Sequence, residues 1–360
     1  MRVLVTGAGG YVGRRLVPLL LERGHEVVAS FSDPHSAPRP GWHTRVEVVG
    51  MDVADPAQVM AAVSGTDAVY YLVHGLAGPD FETRDRQAAH HVAHAVIEHG
   101  VRRVVYLSGL VPPGPPERLS PHLRSRHEVE QVLAATGVPT TTLRAAVVIG
   151  SGSTSFEVVR QVSERLPVRP LPAWMGARVQ PIAVTDALEV LLRCLEVPAA
   201  TRAYDIGGPE RLTYPALLDR YAAVAGLLRP TVPVPFAPTS LVGRLTGLLT
   251  DVPSATVEAL VESLHHDMVC TEDDFLTDLL PPGHRLVGVD EAIRRSLARP
   301  APGGEPLDPL GPVPGDPGWA GGSVHHDGER PVRAPASPAA SLLLGLPRLD
   351  RQPPGGGVAR

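Results

Sequence analysis

Short runs of aliphatic and β-branched residues alternate with amphipathic stretches along most of the 360-residue chain. The runs at 2–6 (RVLVT), 26–31 (EVVASF), 45–50 (RVEVVG), 67–73 (DAVYYLV), 101–108 (VRRVVYLS) and 140–149 (TTTLRAAVVI) read as strands. They are almost continuously apolar instead of alternating, the pattern of a parallel sheet covered on both faces. Between them, residues 11–23, 56–64, 82–99 and the stretch around 120–131 carry helical character, the first closed by Gly24 at a C-cap position. Strand–helix–strand repetition of this kind predicts an α/β fold, a doubly wound parallel Rossmann sheet. Residues 1–150 read as its core.

Past Gly150 the rhythm loosens into helices and Pro-rich connections. Residues 151–298 read as a small substrate lobe over the C-terminal edge of the sheet, where open α/β sheets bind ligands. YDIGG, near 202–208, reads as one strand returning to the sheet. From 299 to 360 the texture changes again: residues 300–360 hold 13 Pro and 12 Gly in 61 positions. That composition predicts a disordered tail, since too little apolar surface is available to offset its ordering.

Composition narrows the classes. A net charge of -5 and a pI near 6.3 argue against a nucleic-acid partner. No apolar stretch approaches the ~18 residues a membrane span needs. Two cysteines, Cys194 and Cys270, make no disulfide framework, and the N-terminus shows no leader pattern, so the expected location is the cytoplasm. His90 and His94 lie four apart on one helix but have no evident third ligand, so no metal is expected. The chain contains neither lysine nor asparagine. No residue can therefore act as a catalytic lysine.

TGAGGYVG (6–13) links the first strand to the first helix. Gly7 suits the tight turn, Gly10 the close approach of backbone to a pyrophosphate, and Gly13 the close packing of helix on strand, with Tyr11 and Val12 at the helix start. The helix N-terminus would present free N–H groups to the phosphates. An NAD site places a carboxylate at the end of the second strand; here stand Ser30 and Ser32, with Asp33 one residue late. Arg14, after the last glycine, is within reach of a ribose 2′-phosphate. NADP is thus preferred over NAD. Asp52 and Val53, ending the third strand, are expected near the adenine, and Leu72, Val73 and His74, ending the fourth, near the adenosine ribose.

TGAGGYVG, DAVYYLVHGL, VRRVVYLSGL, LRAAVVIGSGS, QPIAVTDAL and YDIGGPERLTY, in that order, resemble the atypical, extended-type short-chain dehydrogenase/reductases, and among them the NmrA-like NAD(P)H-binding branch. The resemblance covers roughly residues 1–298. It implies a seven-stranded Rossmann sheet, a bound dinucleotide and a substrate lobe. It also implies a Ser, Tyr and Lys catalytic set, and these map to Ser108, His122 and Arg126. Arg126 keeps a charge for the nicotinamide ribose but cannot lose a proton. His122 titrates near neutrality when free, but an adjacent guanidinium lowers its pKa. Two functions follow from the sequence: an oxidoreductase with a non-standard His/Arg pair acting on an unidentified small molecule, or a non-catalytic dinucleotide-binding sensor or accessory subunit with a protein partner.

Overall fold

Seven strands pair in parallel in the computed structural model: β1 (Arg2–Val5), β2 (Glu26–Phe31), β3 (Glu47–Gly50), β4 (Ala68–Tyr71), β5 (Arg103–Gly109), β6 (Thr140–Ala145) and β7 (Arg202–Ile206). The structure describes residues 1–33, 41–75, 80–115, 117, 119–299, 308–328 and 330–333. The sheet order is β3-β2-β1-β4-β5-β6-β7, with Val3 of β1 opposite both Val27 and Ala68. The order reverses between β1 and β4, which opens a crevice at their C-terminal ends.

The helices are α1 (Tyr11–Glu22), α2 (Pro56–Val63), α3 (Phe81–Glu98), α4 (Pro121–Ala134), α5 (Thr154–Arg165), α6 (Val184–Arg193), α7 (Tyr214–Val224), α8 (Thr239–Leu249), α9 (Ser254–Ser263), α10 (Phe275–Asp278) and α11 (Val289–Ser296). Strand side chains point alternately to the two faces of the sheet. Val3, Val5, Val27, Ala29, Tyr70 and Val105 share one core with Leu16 and Leu20 of α1 and Leu188 and Leu191 of α6. Leu4, Val28, Val69, Tyr71, Val104 and Tyr106 share the other with Val59 of α2, Val92 and Val96 of α3 and Leu133 of α4. Burying each such side chain contributes about 1.5–3 kcal/mol, so the near-continuous apolar strands are explained by cover on both faces.

Asp186 lies inside α6, where its buried carboxylate accepts the Val287 amide at 2.8 Å and pairs with His284 Nε2 at 3.1 Å. The expected disordered tail from 299 fails over residues 308–328 and 330–333. These pack on the molecule, burying Leu310 and Val324 fully and ending in an antiparallel hairpin, β8 (Val324–Asp327) with β9 (Arg330–Arg333).

The reason is polar, not apolar. Arg15 of α1 forms a two-pronged pair with Asp316 at 2.8 and 2.9 Å and donates to the Pro309 carbonyl at 2.8 Å. On α5, buried Glu157 accepts the Gly321 amide at 2.9 Å, Arg160 donates to the Val324 carbonyl at 3.0 Å, and Glu164 takes both the amide and the hydroxyl of Ser323. A Pro/Gly-rich segment that lacks its own core is thus fixed by side chains far away in sequence. Residues 300–307, 329 and 334–360, the rest of the expected tail, lie outside the described residues.

Candidate active site

A cleft of about 500 Å³ runs along the C-terminal ends of β1, β4, β5 and β6 and continues under α9. Its first end is the turn after β1. Gly7 has φ +65°, a conformation other residues adopt with strain, and the Gly10 amide closes on the Gly7 carbonyl at 2.8 Å. A Cβ on Gly13 would lie 2.5 Å from the Gly7 carbonyl oxygen and 2.8 Å from Ala8 Cα, so only glycine lets α1 sit this close to the turn. Gly10 caps α1 without a side chain, which leaves the first N–H groups of the helix available to an anion. Beside them the buried Tyr11 hydroxyl has no partner, and the Arg15 guanidinium lies 4.2 Å over the Tyr11 ring.

The second end is built by β5 and α4. Ser120 caps α4, its hydroxyl accepting the Leu123 amide at 3.4 Å, and Pro121 takes the first helical position, where a missing N–H costs nothing. His122 and Arg126 follow one turn apart on the face toward β5. Arg126 donates to the Leu107 carbonyl at 3.2 Å, while its Nε is buried without a partner, as is the Ser108 hydroxyl. Gly109 is small enough to let Arg126 pass: a Cβ there would lie 3.1 Å from Arg126 Cδ.

Electrostatics fixes the protonation states. Burial first, and the Arg126 charge second, push His122 down to about 3. The His74 ring lies 6.2 Å from that of His122, and Arg126, burial and His122 together hold it well below the ordinary histidine value. Both rings are neutral at physiological pH. Behind them Asp85 accepts the Gly75 amide at 2.9 Å and the Ser125 hydroxyl at 3.1 Å, and burial raises its pKa.

A glycine cradle that no Cβ fits, a free helix N-terminus and buried donors left unpaired at Tyr11, Ser108 and Arg126 suit a dinucleotide. Comparison with known proteins agrees. The NAD(P)H-binding family profile matches residues 7–167. The Bordetella bronchiseptica enzyme WbmH in complex with NAD+ shares the fold with a TM-score of 0.60 at 20% identity, over 81% of this chain and 95% of that one. Residues 7–167 are thus similar to the NAD(P)H-binding family, within a fold shared with NAD-binding enzymes. An uncharacterized protein of Mycobacterium tuberculosis is 31% identical over 237 residues, which are 65% of this chain and 24% of that protein. The 2-alkyl-3-oxoalkanoate reductase of Stenotrophomonas maltophilia is 36% identical over 119 residues, 30% of this chain and 33% of the reductase. The chain therefore spans about a quarter of the first of these relatives and a third of the second.

The cleft gathers Gly7, Gly10, Tyr11, Val12, Gly13, Leu72, Val73, His74, Ser108, His122 and Arg126, all singled out in the sequence. Five other positions do not line it. Arg14 is buried and donates to the Gly9 carbonyl at 2.6 Å and the Pro314 carbonyl at 3.5 Å, so its guanidinium is engaged by the glycine turn and by the C-terminal segment. Ser30 is buried against the Val5 carbonyl, and Ser32 is exposed beyond the strand. Asp52 closes a turn by accepting the Ala54 amide at 2.9 Å, and the Val53 carbonyl meets His91 Nδ1 at 2.9 Å.

Sequence reasoning missed the lobe side of the cleft: Ser153, Thr154 and Ser155 at the start of α5, Thr256, Leu260 and Ser263 on α9, then Leu264, His266 and Met268. The Gly/Ser run GSGSTS before α5 was a usable signal for the first three. The others carry none, because they reach the cleft only through packing. Among the described residues no group of three or more His, Cys, Asp or Glu could hold a metal. No described helix is long and apolar enough to cross a membrane.

Proposed function

We propose that the protein is an NAD(P)H-dependent oxidoreductase whose acceptor becomes a stable oxyanion on reduction, as a quinone-like or conjugated carbonyl compound does. Bound NAD(P)H supplies a hydride. The observation that carries the reading is the course of the cleft, which continues past Ser108, His122 and Arg126 to apolar walls at Val147, Val179, Leu260 and Met268. This leaves room for a second, apolar ligand beside the dinucleotide.

The roles of the side chains follow from their charges. Neutral His122, with a pKa near 3, has no proton to give at physiological pH but offers a ring N–H as a hydrogen-bond donor. Arg126 stays cationic and has a buried Nε available to negative charge. Ser108 adds a hydroxyl on the β5 side. Such a set stabilises an oxyanion without protonating it, which suits acceptors whose anions persist and disfavours plain ketones.

Purified protein with NADPH is offered quinones, conjugated carbonyls and simple ketones while cofactor fluorescence is followed. Saturable, acceptor-dependent consumption with the first two classes is expected. Tight cofactor binding with no consumption by any of them overturns the reading. It would favour the second reading, a dinucleotide-binding sensor or accessory subunit, which the missing Tyr and Lys support. In that case cofactor would change the affinity for a protein partner.

The cofactor's phosphate state is part of the same proposal. With Arg14 held by Gly9 and Pro314, neither a free guanidinium nor a carboxylate stands at the very end of β2. NADPH and NADH are expected to bind within about tenfold of each other, or 1.4 kcal/mol.

A further inference from the structure

Exposed apolar surface is unevenly placed on this molecule. Of the eleven large hydrophobic side chains exposed among the described residues, six fall between 228 and 248: Leu228, Val232, Phe236, Leu241, Leu245 and Leu248. Leu228, Phe236 and Leu248 are 90%, 91% and 80% exposed. The first two flank the strand Thr231–Val234, which pairs with Arg169–Pro172, and the Trp174 indole pins the following turn by donating to the Ala237 carbonyl at 2.8 Å.

The three leucines lie on α8 at spacings of four and three, and so share one helix face. The opposite face carries Gly243 and Gly247, and it is the face packed on α9. A Cβ at Gly243 would come within 3.3 Å of Glu258, and one at Gly247 within 3.0 Å of Ser254. The small-residue face is therefore sealed and the leucine face looks outward.

Charge selects the occupant. Residues 226–250 contain two arginines and no acidic residue, in a chain whose net charge is -5. Arg244, exposed, lies beside the leucines; of the nearby acids, Asp251 is paired with Arg165 and Glu258 sits on the α9 side, against Gly243. A second copy in two-fold contact would bring two copies of the same Arg244-bearing face together, with no added acidic group from residues 226–250. The apolar run of this chain at 341–349, SLLLGLPRL, itself carries Arg348 and no acid.

We propose that α8 and the 228–236 segment anchor the protein to the surface of an anionic phospholipid bilayer. At 11 residues α8 is too short to span, but leucine and phenylalanine beside arginine are what an interfacial helix presents to headgroups and upper acyl chains. The helix packed beneath it, α9, walls the lobe end of the cleft through Thr256 and Leu260. The element that touches lipid is thus next to the apolar end of the cleft. The anchor stands whether or not the proposed chemistry is correct.

The test is co-sedimentation of the full chain with phosphatidylcholine–phosphatidylglycerol vesicles and with phosphatidylcholine alone. Wild type is expected to pellet with the anionic vesicles, and less so at high salt. The combined variant L241Q/L245Q/L248Q should lose about tenfold or more in partitioning while its melting temperature and NADPH affinity stay unchanged. Arg244→Gln should lose about fivefold on anionic vesicles only. Wild type remaining in solution with both vesicle types overturns the proposal, as does a triple leucine variant that pellets like wild type. A wild-type dimer that the triple variant turns into a monomer, without vesicle binding, assigns the face to a second copy. Vesicle binding that appears only when Leu342, Leu343 and Leu344 are changed to Gln in the full chain assigns it to the chain's own C-terminus.

Discussion

The two ends of the cleft are specified by different kinds of physics. At the glycine end the requirement is steric and local. Gly13 is needed because a carbonyl oxygen and a Cα occupy the space of its Cβ, and the atoms concerned lie within a few residues of one another. At the His122–Arg126 end the residue types are equally plain in the sequence, but their chemistry depends on burial and on a neighbouring charge. Spacing specifies a shape; a protonation state is a property of the folded environment.

The sharpest way to break the comparison is to fill the glycine end. Gly13→Val should reduce NADPH affinity about thousandfold, or ~4 kcal/mol, because α1 must move off the turn and carry its free N–H groups with it. Gly10→Ala should disturb the turn itself much less, since its Cβ would meet only the Gly7 carbonyl, at 3.1 Å, and its smaller loss of affinity should come from crowding the pyrophosphate. Fluorescence titration of both variants measures the difference. Equal losses would mean that the turn is not held by the packing described.

The next effect concerns what supports that end from behind. Arg15, with its guanidinium over Tyr11, ties α1 to Asp316 of the C-terminal segment, and its side chain is 1% exposed. Asp316→Ala leaves a buried guanidinium short of its counter-charge and should cost about 3 kcal/mol in urea unfolding. Arg15→Met/Asp316→Leu together should cost less than either change alone. If Asp316→Ala leaves stability unchanged, residues 308–328 are not an integral part of the fold.

The same contrast explains how much the sequence disclosed. The strands, the glycine turn and Ser108 near the end of β5 were legible because apolar runs, a fixed glycine spacing and the family resemblance, respectively, point to them. The ordering of 308–328 was not, because Pro and Gly counts carry no record of Glu157, Arg160 and Glu164 on α5. Arg14, next to the last glycine, looks free in the sequence; its bonds to the nearby Gly9 carbonyl and the distant Pro314 carbonyl appear only in the fold. The α9 wall of the cleft was hidden because nothing in its periodicity says which ligand it faces.

A smaller effect tests the second end directly. Arg126→Met should weaken cofactor binding about tenfold, ~1.4 kcal/mol, by removing a charged donor from the cleft. It should also raise the His122 pKa only part of the way to normal, since burial is the larger cause of the depression and Arg126 the smaller. Imidazole proton shifts followed by NMR through the titration distinguish the two causes. Full recovery would show that charge, not burial, sets the protonation state.

The mildest effect is the dependence of stability on pH, and its sign is fixed by the direction of each shift. His122 titrates near 3 when folded and near 6.5 when unfolded, so on acidification the unfolded chain takes up the proton first. Its contribution to stability is complete above about pH 6.5 and is lost between there and about pH 3, at no more than ~1.4 kcal/mol per pH unit. His74, depressed as well, acts in the same direction. Asp85 acts in the opposite one: with a raised pKa, its contribution is complete in acid and lost as pH rises through its folded value. Wild type should therefore lose stability relative to His122→Gln between about pH 6.5 and pH 5, with the difference flat above about pH 7. A difference that instead grows above neutrality would mean that His122 is charged in the folded protein. The second end of the cleft would then hold the proton donor that its burial now argues against.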